Sequence, residues 1–242
     1  MKILFDFTLK VIDFFYQRKI IHFLKENLNP KILVLIDVGA HKGETIENFL
    51  KSFKIKNIYS FEASNETYKS LRINADNLKN TYKYTNIEIF NTGVGNSNKQ
   101  KIFNELPDSN SSTFNLIDEN SSYFKRKNKI LSFFFKKNFL IKKNIVSQIK
   151  LSEFILKKNL KFIDLLKIDT EGYELEVLKG LHNSIEIVDF IYFEHHYDNM
   201  IKKNYKFSEI HEFLIENGFS NVFKIKMPLR KSFDYIYRKK RV

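Results

Sequence analysis

The chain has 242 residues, 43% hydrophobic and 15% aromatic, with only 7 Gly and 3 Pro; this is enough apolar material for one sizeable domain and excludes a disordered chain. There is no Cys, which excludes disulfides, thiolate zinc sites and cysteine nucleophiles and suits a reducing cytosol. The net charge of +13 comes mostly from Lys spread among Asn, Ile and Phe, so it reads as a solvated surface before a nucleic-acid footprint.

Residues 1–30 form an N-terminal extension ahead of a domain spanning 31–242. The segment ILFDFTLKVIDFFYQRKIIHFL is apolar, but Asp6, Lys10, Asp13 and Gln17 interrupt it at helical spacing and gather on one stripe. A transmembrane helix needs about 20 largely uncharged residues, so neither a span nor a signal peptide is read here. A helix packed on the domain is the preferred reading, and peripheral membrane contact through the same helix is the second.

After Pro30, KILVLIDVG reads as a buried strand ending at Asp37, with a helix through ETIENFLKSF. NIYSFEAS is a strand ending at Glu62, and the helix after it is capped by Ser64 or Asn65. NIEIFNTGVG is a third strand, and KQKIFNEL a short extra one. Residues 105–145 degrade into Ser, Asn and Lys around an FFF island at 133–135, the pattern of a variable insertion whose phenylalanines pack locally. LSEFILKKN is a short helix, FIDLLKID a fourth strand, YELEVLKGLHNSI its helix, and VDFIYFEHH a fifth strand. FSEIHEFLIENGF is a helix ended by Gly218, and NVFKIKM with FDYIYRK forms a closing antiparallel pair. Strands alternating with helices predict an α/β fold: a doubly wound, mostly parallel seven-stranded Rossmann-like sheet with a C-terminal antiparallel hairpin.

LIDVGAHKGET places Asp37, Gly39 and Gly43 in the turn leaving the first strand, with His41 between them. The spacing is neither GxGxxG nor GxxxxGK[ST], which weakens a nicotinamide dinucleotide and a P-loop. An acid at the strand end suits a cationic or amino-bearing ligand. Glu62, ending the adjacent strand, can accept from both hydroxyls of a ribose.

That pair resembles the S-adenosylmethionine site of class I methyltransferases. IDVGAHKGETIENFL, YSFEASNETYKSL, NTGVGNSN and IDLLKIDTEGYELEVLKGL resemble the FkbM family in particular, with KIDTEGYE the most specific block. The family commonly carries two aspartates where this chain has Ser152 and Glu153. The resemblance implies S-adenosyl-L-methionine as cofactor. Asp37, Gly39 and Gly43 would line its methionine side, Glu62 would hold the ribose, and Thr92 would lie near the adenine.

The strand-four end reads KIDTEGYE where base-amino methyltransferases carry an Asn/Asp-Pro-Pro-aromatic turn, so base methylation loses its usual platform. Asp169, Glu171, Glu194 and His195, with His196 beside them, remain as candidates for accepting a proton from a hydroxyl. The same groups would suit Mg or Mn, a divalent-cation reading that is not the favoured one. The other histidines, His22, His182 and His211, sit in helical patterns as surface or packing residues. The resemblance implies O-methylation of a sugar or glycan by a cytoplasmic enzyme, stationed at the inner membrane surface if the N-terminal helix binds lipid. The alternatives are an RNA 2'-hydroxyl methyltransferase and a non-catalytic cofactor-binding scaffold.

Overall fold

A computed structural model describes residues 2–29, 31–106, 111–135, 140–228 and 230–240, without the side chains of 2–11, 130–131 and 133–135. Asp6, Lys10, Pro30, the FFF side chains, Lys136, Lys137 and Arg241 therefore lie outside the described residues.

The first element is the helix α1 (Lys2–Asn27). It is followed by β1 (Lys31–Val38), α2 (Glu44–Leu50), β2 (Lys54–Phe61), α3 (Asn65–Thr81) and β3 (Asn86–Phe90). After the insertion, which holds α4 (Ser122–Phe135), come α5 (Leu151–Lys157), β4 (Ile163–Ile168), α6 (Glu174–Lys179) and β5 (Val188–His196). The helix α7 (Phe207–Glu216) leads into β6 (Phe219–Lys226) and β7 (Ser232–Lys239). The seven strands form one sheet in the order β6-β7-β5-β4-β1-β2-β3. From β3 to β5 all pairings are parallel; β7 pairs antiparallel to β5 and to β6.

Both sheet faces are covered, which is why β1 and β4 read as continuous apolar runs. All six residues of β4 are buried. One face carries Leu35, Leu165, Phe190 and Ile236 under α1, α2 and α3. The other carries Ile36, Leu166, Ile191 and Phe193 under α5, α6 and α7. From α1, the side chains of Tyr16, Ile20, Leu24 and Leu28 are buried in the first of these cores.

The structure departs from the sequence reading in three places. The expected third strand breaks after Phe90, and Gly93–Val94 joins a separate small sheet with Lys99–Glu105 and Lys142–Ile149. Lys142–Ile149 is mostly exposed and Lys-rich, so it carries no buried-strand signal. The insertion holds α4, whose first turns are charged and polar, YFKRKNK. The helix after β4 is shorter than its pattern, ending at Lys179 before a 3₁₀ turn over His182–Ile187.

Candidate active site

A cavity of about 280 Å³ lies at the carboxyl edge of the parallel strands, where doubly wound sheets bind their ligands. The exits of β1 and β4 touch there. Gly39 has φ +81°, and a Cβ on it would fall 1.9 Å from the carbonyl oxygen of Asp169. Only a residue without a side chain lets the two turns meet. Gly43, φ +94°, immediately precedes α2; a Cβ there would meet Leu71 at 3.2 Å, so this glycine serves packing and is not among the cavity lining.

Asp37 is fully buried and also absent from the cavity wall. It lies opposite Lys167 in the β1–β4 register, with Lys167 Nζ 3.7 Å from Asp37 Oδ1 and 3.1 Å from Asp169 Oδ2. Burial raises Asp37 to about 6, partly opposed by Lys167. Asp169 goes the other way: despite its desolvation, the Lys167 ammonium holds it below the usual carboxylate range. Lys167, itself buried, is held charged by the two aspartates against the cost of burial. The sequence hides this lysine inside an apolar run. Asp169 does not cap α6, whose N-cap position is Tyr173 and carries no side-chain cap.

Glu62 lines the cavity and is buried. Its Oε2 accepts the His41 backbone N–H at 2.9 Å and its Oε1 the Ser64 N–H at 2.8 Å. Each oxygen thus keeps a lone pair for a further donor, the arrangement a vicinal diol requires. Burial raises Glu62 to about 7, against the pull of those two N–H groups. Thr92 also lines the cavity, its hydroxyl donating to the Ser147 carbonyl at 2.7 Å.

Beyond Asp169 stands an acid–imidazole cluster. His196 Nε2 lies 3.2 Å from Glu171 Oε2 and 3.2 Å from Glu194 Oε1, at angles too oblique for hydrogen bonds, while its Nδ1 lies 3.5 Å from Asp198. Glu171 sits at φ +51°, a left-handed conformation unusual for a side-chain-bearing residue, followed by Gly172 at φ +87°. The turn is tied down by the buried Glu174, which accepts from Thr170 (3.1 Å), the Gly172 N–H (2.9 Å) and the Tyr205 hydroxyl. Burial drives Glu171 up to about 8, eased by His196 and reinforced by Glu194. Glu194 is also raised by burial. Burial works to lower His196, but Glu171 and Glu194 together lift it to about 10.

His195 is not part of this cluster. Successive strand residues face opposite sides of a sheet, so Glu194 and His196 share the cavity side and His195 takes the other. There its ring packs among Tyr197 (4.8 Å between centroids) and Phe207 (5.4 Å), and burial depresses it to about 3. Lys167 and Arg230, both lining the cavity and the latter from the β6–β7 turn, are the groups missed in the sequence, where His196 stood only beside the chosen His195. Period-two alternation applied to EHH would have exchanged His195 for His196. Among the described residues, no group of three or more His, Asp or Glu is arranged to hold a metal ion.

The 3-2-1-4-5-7-6 strand order with its antiparallel β7 defines a class I methyltransferase fold. The comparisons agree. The sequence model of the methyltransferase FkbM domain matches residues 37–220. The chain belongs to the FkbM methyltransferase family, whose cofactor is S-adenosylmethionine. A structure of methyltransferase FkbM from Methylobacillus flagellatus KT superposes with a TM-score of 0.54 at 12% identity, over 86% of this chain and 44% of that one. The chain thus spans less than half the length of that relative. Magnesium protoporphyrin IX methyltransferase from Synechocystis PCC 6803, solved with bound SAM, superposes at 0.53 and 11% identity, over 96% of this chain and 82% of that one. No curated protein matches the chain.

Proposed function

We propose that this chain methylates a hydroxyl of a sugar or glycan. The observation that supports the reading best is the divergence of the acids in one cavity: Asp169 held ionised by Lys167, Glu171 and Glu194 pushed toward neutrality. An alcohol must lose its proton as it attacks, and a group titrating near neutral pH is matched to accept it. S-adenosylmethionine supplies the methyl group already activated on a sulfonium.

In this reading Glu62 holds the ribose, and Gly39 lets the methionine end pass close to the strand exits. Thr92 marks the adenine end. Asp37 does not touch the cofactor; it balances Lys167 beneath the floor. Glu171, as its carboxylate, takes the proton of the acceptor hydroxyl and becomes the neutral acid, while His196 stands beside it and Glu194. Asp169, permanently ionised, orients the acceptor as a hydrogen-bond acceptor. His195 has no part in the reaction.

A lipid-linked acceptor would add peripheral membrane contact, from the cytoplasmic side. Phe14 and Phe15 stand exposed on α1 beside exposed Arg18 and Lys19. No helix among the described residues is long and apolar enough to cross a membrane.

The experiment is methyl transfer from tritiated S-adenosylmethionine into glycan and RNA fractions, with wild type and Glu171→Gln. Label in glycan that disappears in the variant supports the reading. Label in RNA, with binding that falls steeply with salt, would replace the acceptor by an RNA 2'-hydroxyl. Tight cofactor binding with no transfer to any fraction would leave a non-catalytic scaffold.

A further inference from the structure

The cavity has two sources. Its floor and cofactor end come from strand exits within the family-matched residues 37–220. Another part of its wall comes from outside that span: Asp13 and Gln17 on α1, and Met227 and Arg230 between β6 and β7. Strand order decides which end this wall serves. Thr92, Glu62 and Gly39 follow β3, β2 and β1; Asp169 follows β4, Glu194 lies near the end of β5, and β7 comes next. Ser232 and Asp234 pair with His196 and Glu194, so Arg230 stands past the acid cluster, on the side away from Glu62. It lines the cavity together with Glu194 and Glu171. Asp13 and Glu44 line the same cavity, so α1 borders the mouth between that turn and the start of α2.

The helix is fixed there by a buried anchor. Tyr16 donates to Asp234 Oδ2 at 2.8 Å, and Tyr192 donates to the same oxygen at 3.0 Å. Asp234 in turn sits opposite Glu194. On either side of Tyr16, Asp13, exposed, and Gln17, half-buried, stand at the cavity mouth, and neither makes a hydrogen bond to another described residue. Polar groups that line a cavity mouth and have no internal partner can exchange water for the hydrogen bonds of a ligand.

We propose that Asp13, Gln17 and Arg230 form the acceptor subsite and do not contact the cofactor. The inference rests on the methyl-transfer reading and adds where the acceptor is recognised. A carboxylate, an amide and a guanidinium together offer acceptors and donors to neighbouring hydroxyls of a sugar ring. A phosphodiester backbone would meet Asp13, Glu44, Asp169 and Glu194 at the same mouth, so the subsite favours a polyhydroxylated acceptor over RNA.

The test uses the full chain, tritiated S-adenosylmethionine and an extract of the producing cell from which this gene has been deleted. Asp13→Ala, Gln17→Ala and Arg230→Ala are compared with wild type and with Lys25→Ala, a change at an exposed position of the same helix away from the cavity. At limiting extract each of the three should transfer about tenfold less label, recovering as extract is raised, with S-adenosylhomocysteine affinity within about twofold of wild type. Lys25→Ala should label as wild type does. Undiminished labelling by the three variants overturns the subsite, as does a parallel loss of S-adenosylhomocysteine affinity. Label released by ribonuclease overturns the preference for a sugar. Absence of label from wild type in every fraction overturns the methyl-transfer reading itself, and the two failures are thereby told apart.

Discussion

Glu171 and His196, 25 residues apart in sequence, meet at 3.2 Å, Glu171 on the wall of the cavity and His196 buried behind it. The contact joins a left-handed turn residue to the last residue of β5. It lets one imidazolium serve two buried carboxylates, since Glu194 approaches the same nitrogen. With Glu171 raised to about 8, the ionised, proton-accepting form grows as pH climbs. The transfer rate should therefore rise with pH, pass half its maximum near pH 8 and level above about pH 9. Glu171→Gln should lower the rate about 10²–10⁴-fold at pH 8 and leave S-adenosylhomocysteine affinity near wild type. A flat pH profile, or a variant with full activity, removes Glu171 from the reaction.

Lys167 sits between two aspartates and is 7% exposed, so removing its charge strands buried carboxylate. Lys167→Met should cost about 3–5 kcal/mol of stability, the usual price of an uncompensated buried charge. Asp169→Asn should cost less, because Asp37 still balances the lysine and Asp169 is partly open to solvent. Urea unfolding compares the two. A smaller loss for Lys167→Met than for Asp169→Asn would contradict the pairing.

How much of this could be read from the sequence depended on how local its cause was. β1, β4 and β5 were legible because strands covered on both faces must be apolar throughout, and their acids stood out against that background. The Gly39 turn and Glu62 were legible because their spacing is set by adjacent strands. Lys167 was passed over because a charge inside an apolar run looks like an interruption until its two partners are seen. Arg230 reaches the cavity from nearly 60 residues beyond Glu171, a closeness created by the β5–β7 pairing alone. The α1 stripe was visible as a stripe, but whether Asp13 and Gln17 faced water or a cavity is a tertiary fact. Lys142–Ile149 was invisible for the opposite reason: an exposed strand has little apolar pattern to display.

Glu62, raised to about 7 by burial, must be ionised to accept from both hydroxyls of a diol. S-adenosylhomocysteine should bind more tightly at pH 8 than at pH 6, the gain occurring as pH passes 7. Glu62→Ala should weaken binding by about 1.5–3 kcal/mol, ten- to a hundredfold, and remove that part of the pH dependence. Calorimetric titration at both pH values reads both effects. A folded variant with unchanged affinity ends the ribose assignment.

Stability should fall as the solution turns alkaline. Asp37 (about 6), Glu171 and Asp234 (each about 8) and His196 (about 10) all hold protons more tightly than in an unfolded chain. Between the unfolded values, near 4 for the carboxyls and 6.5 for the imidazole, and these raised ones, the folded protein binds the extra protons. Stability is then lost with rising pH across that window. His195, lowered to about 3, acts oppositely, adding stability from pH 3 to 6.5. Thermal unfolding should give a lower Tm at pH 9 than at pH 6, and an equal or higher Tm at pH 9 would contradict the buried proton inventory.

The last expectation separates the two faces of α1. Its buried face, Tyr16, Ile20, Leu24 and Leu28, belongs to the core, so deleting residues 2–28 should lower stability and expose apolar surface to a hydrophobic dye. Its outer face is a different matter. Phe14 and Phe15 are 59% and 58% exposed, and Arg18 and Lys19 are exposed with them. Insertion of two aromatic rings with two adjacent cations favours an anionic bilayer over a neutral one. Sedimentation with vesicles containing phosphatidylserine should carry wild type down at low salt, and Phe14→Ser/Phe15→Ser should leave it in the supernatant with its Tm unchanged. Binding to purely zwitterionic vesicles with equal strength would mean that the cations play no part. Failure to sediment with either would mean that the outer face of α1 is simply solvated, and an acceptor held in a membrane would then have to reach the cavity by another route.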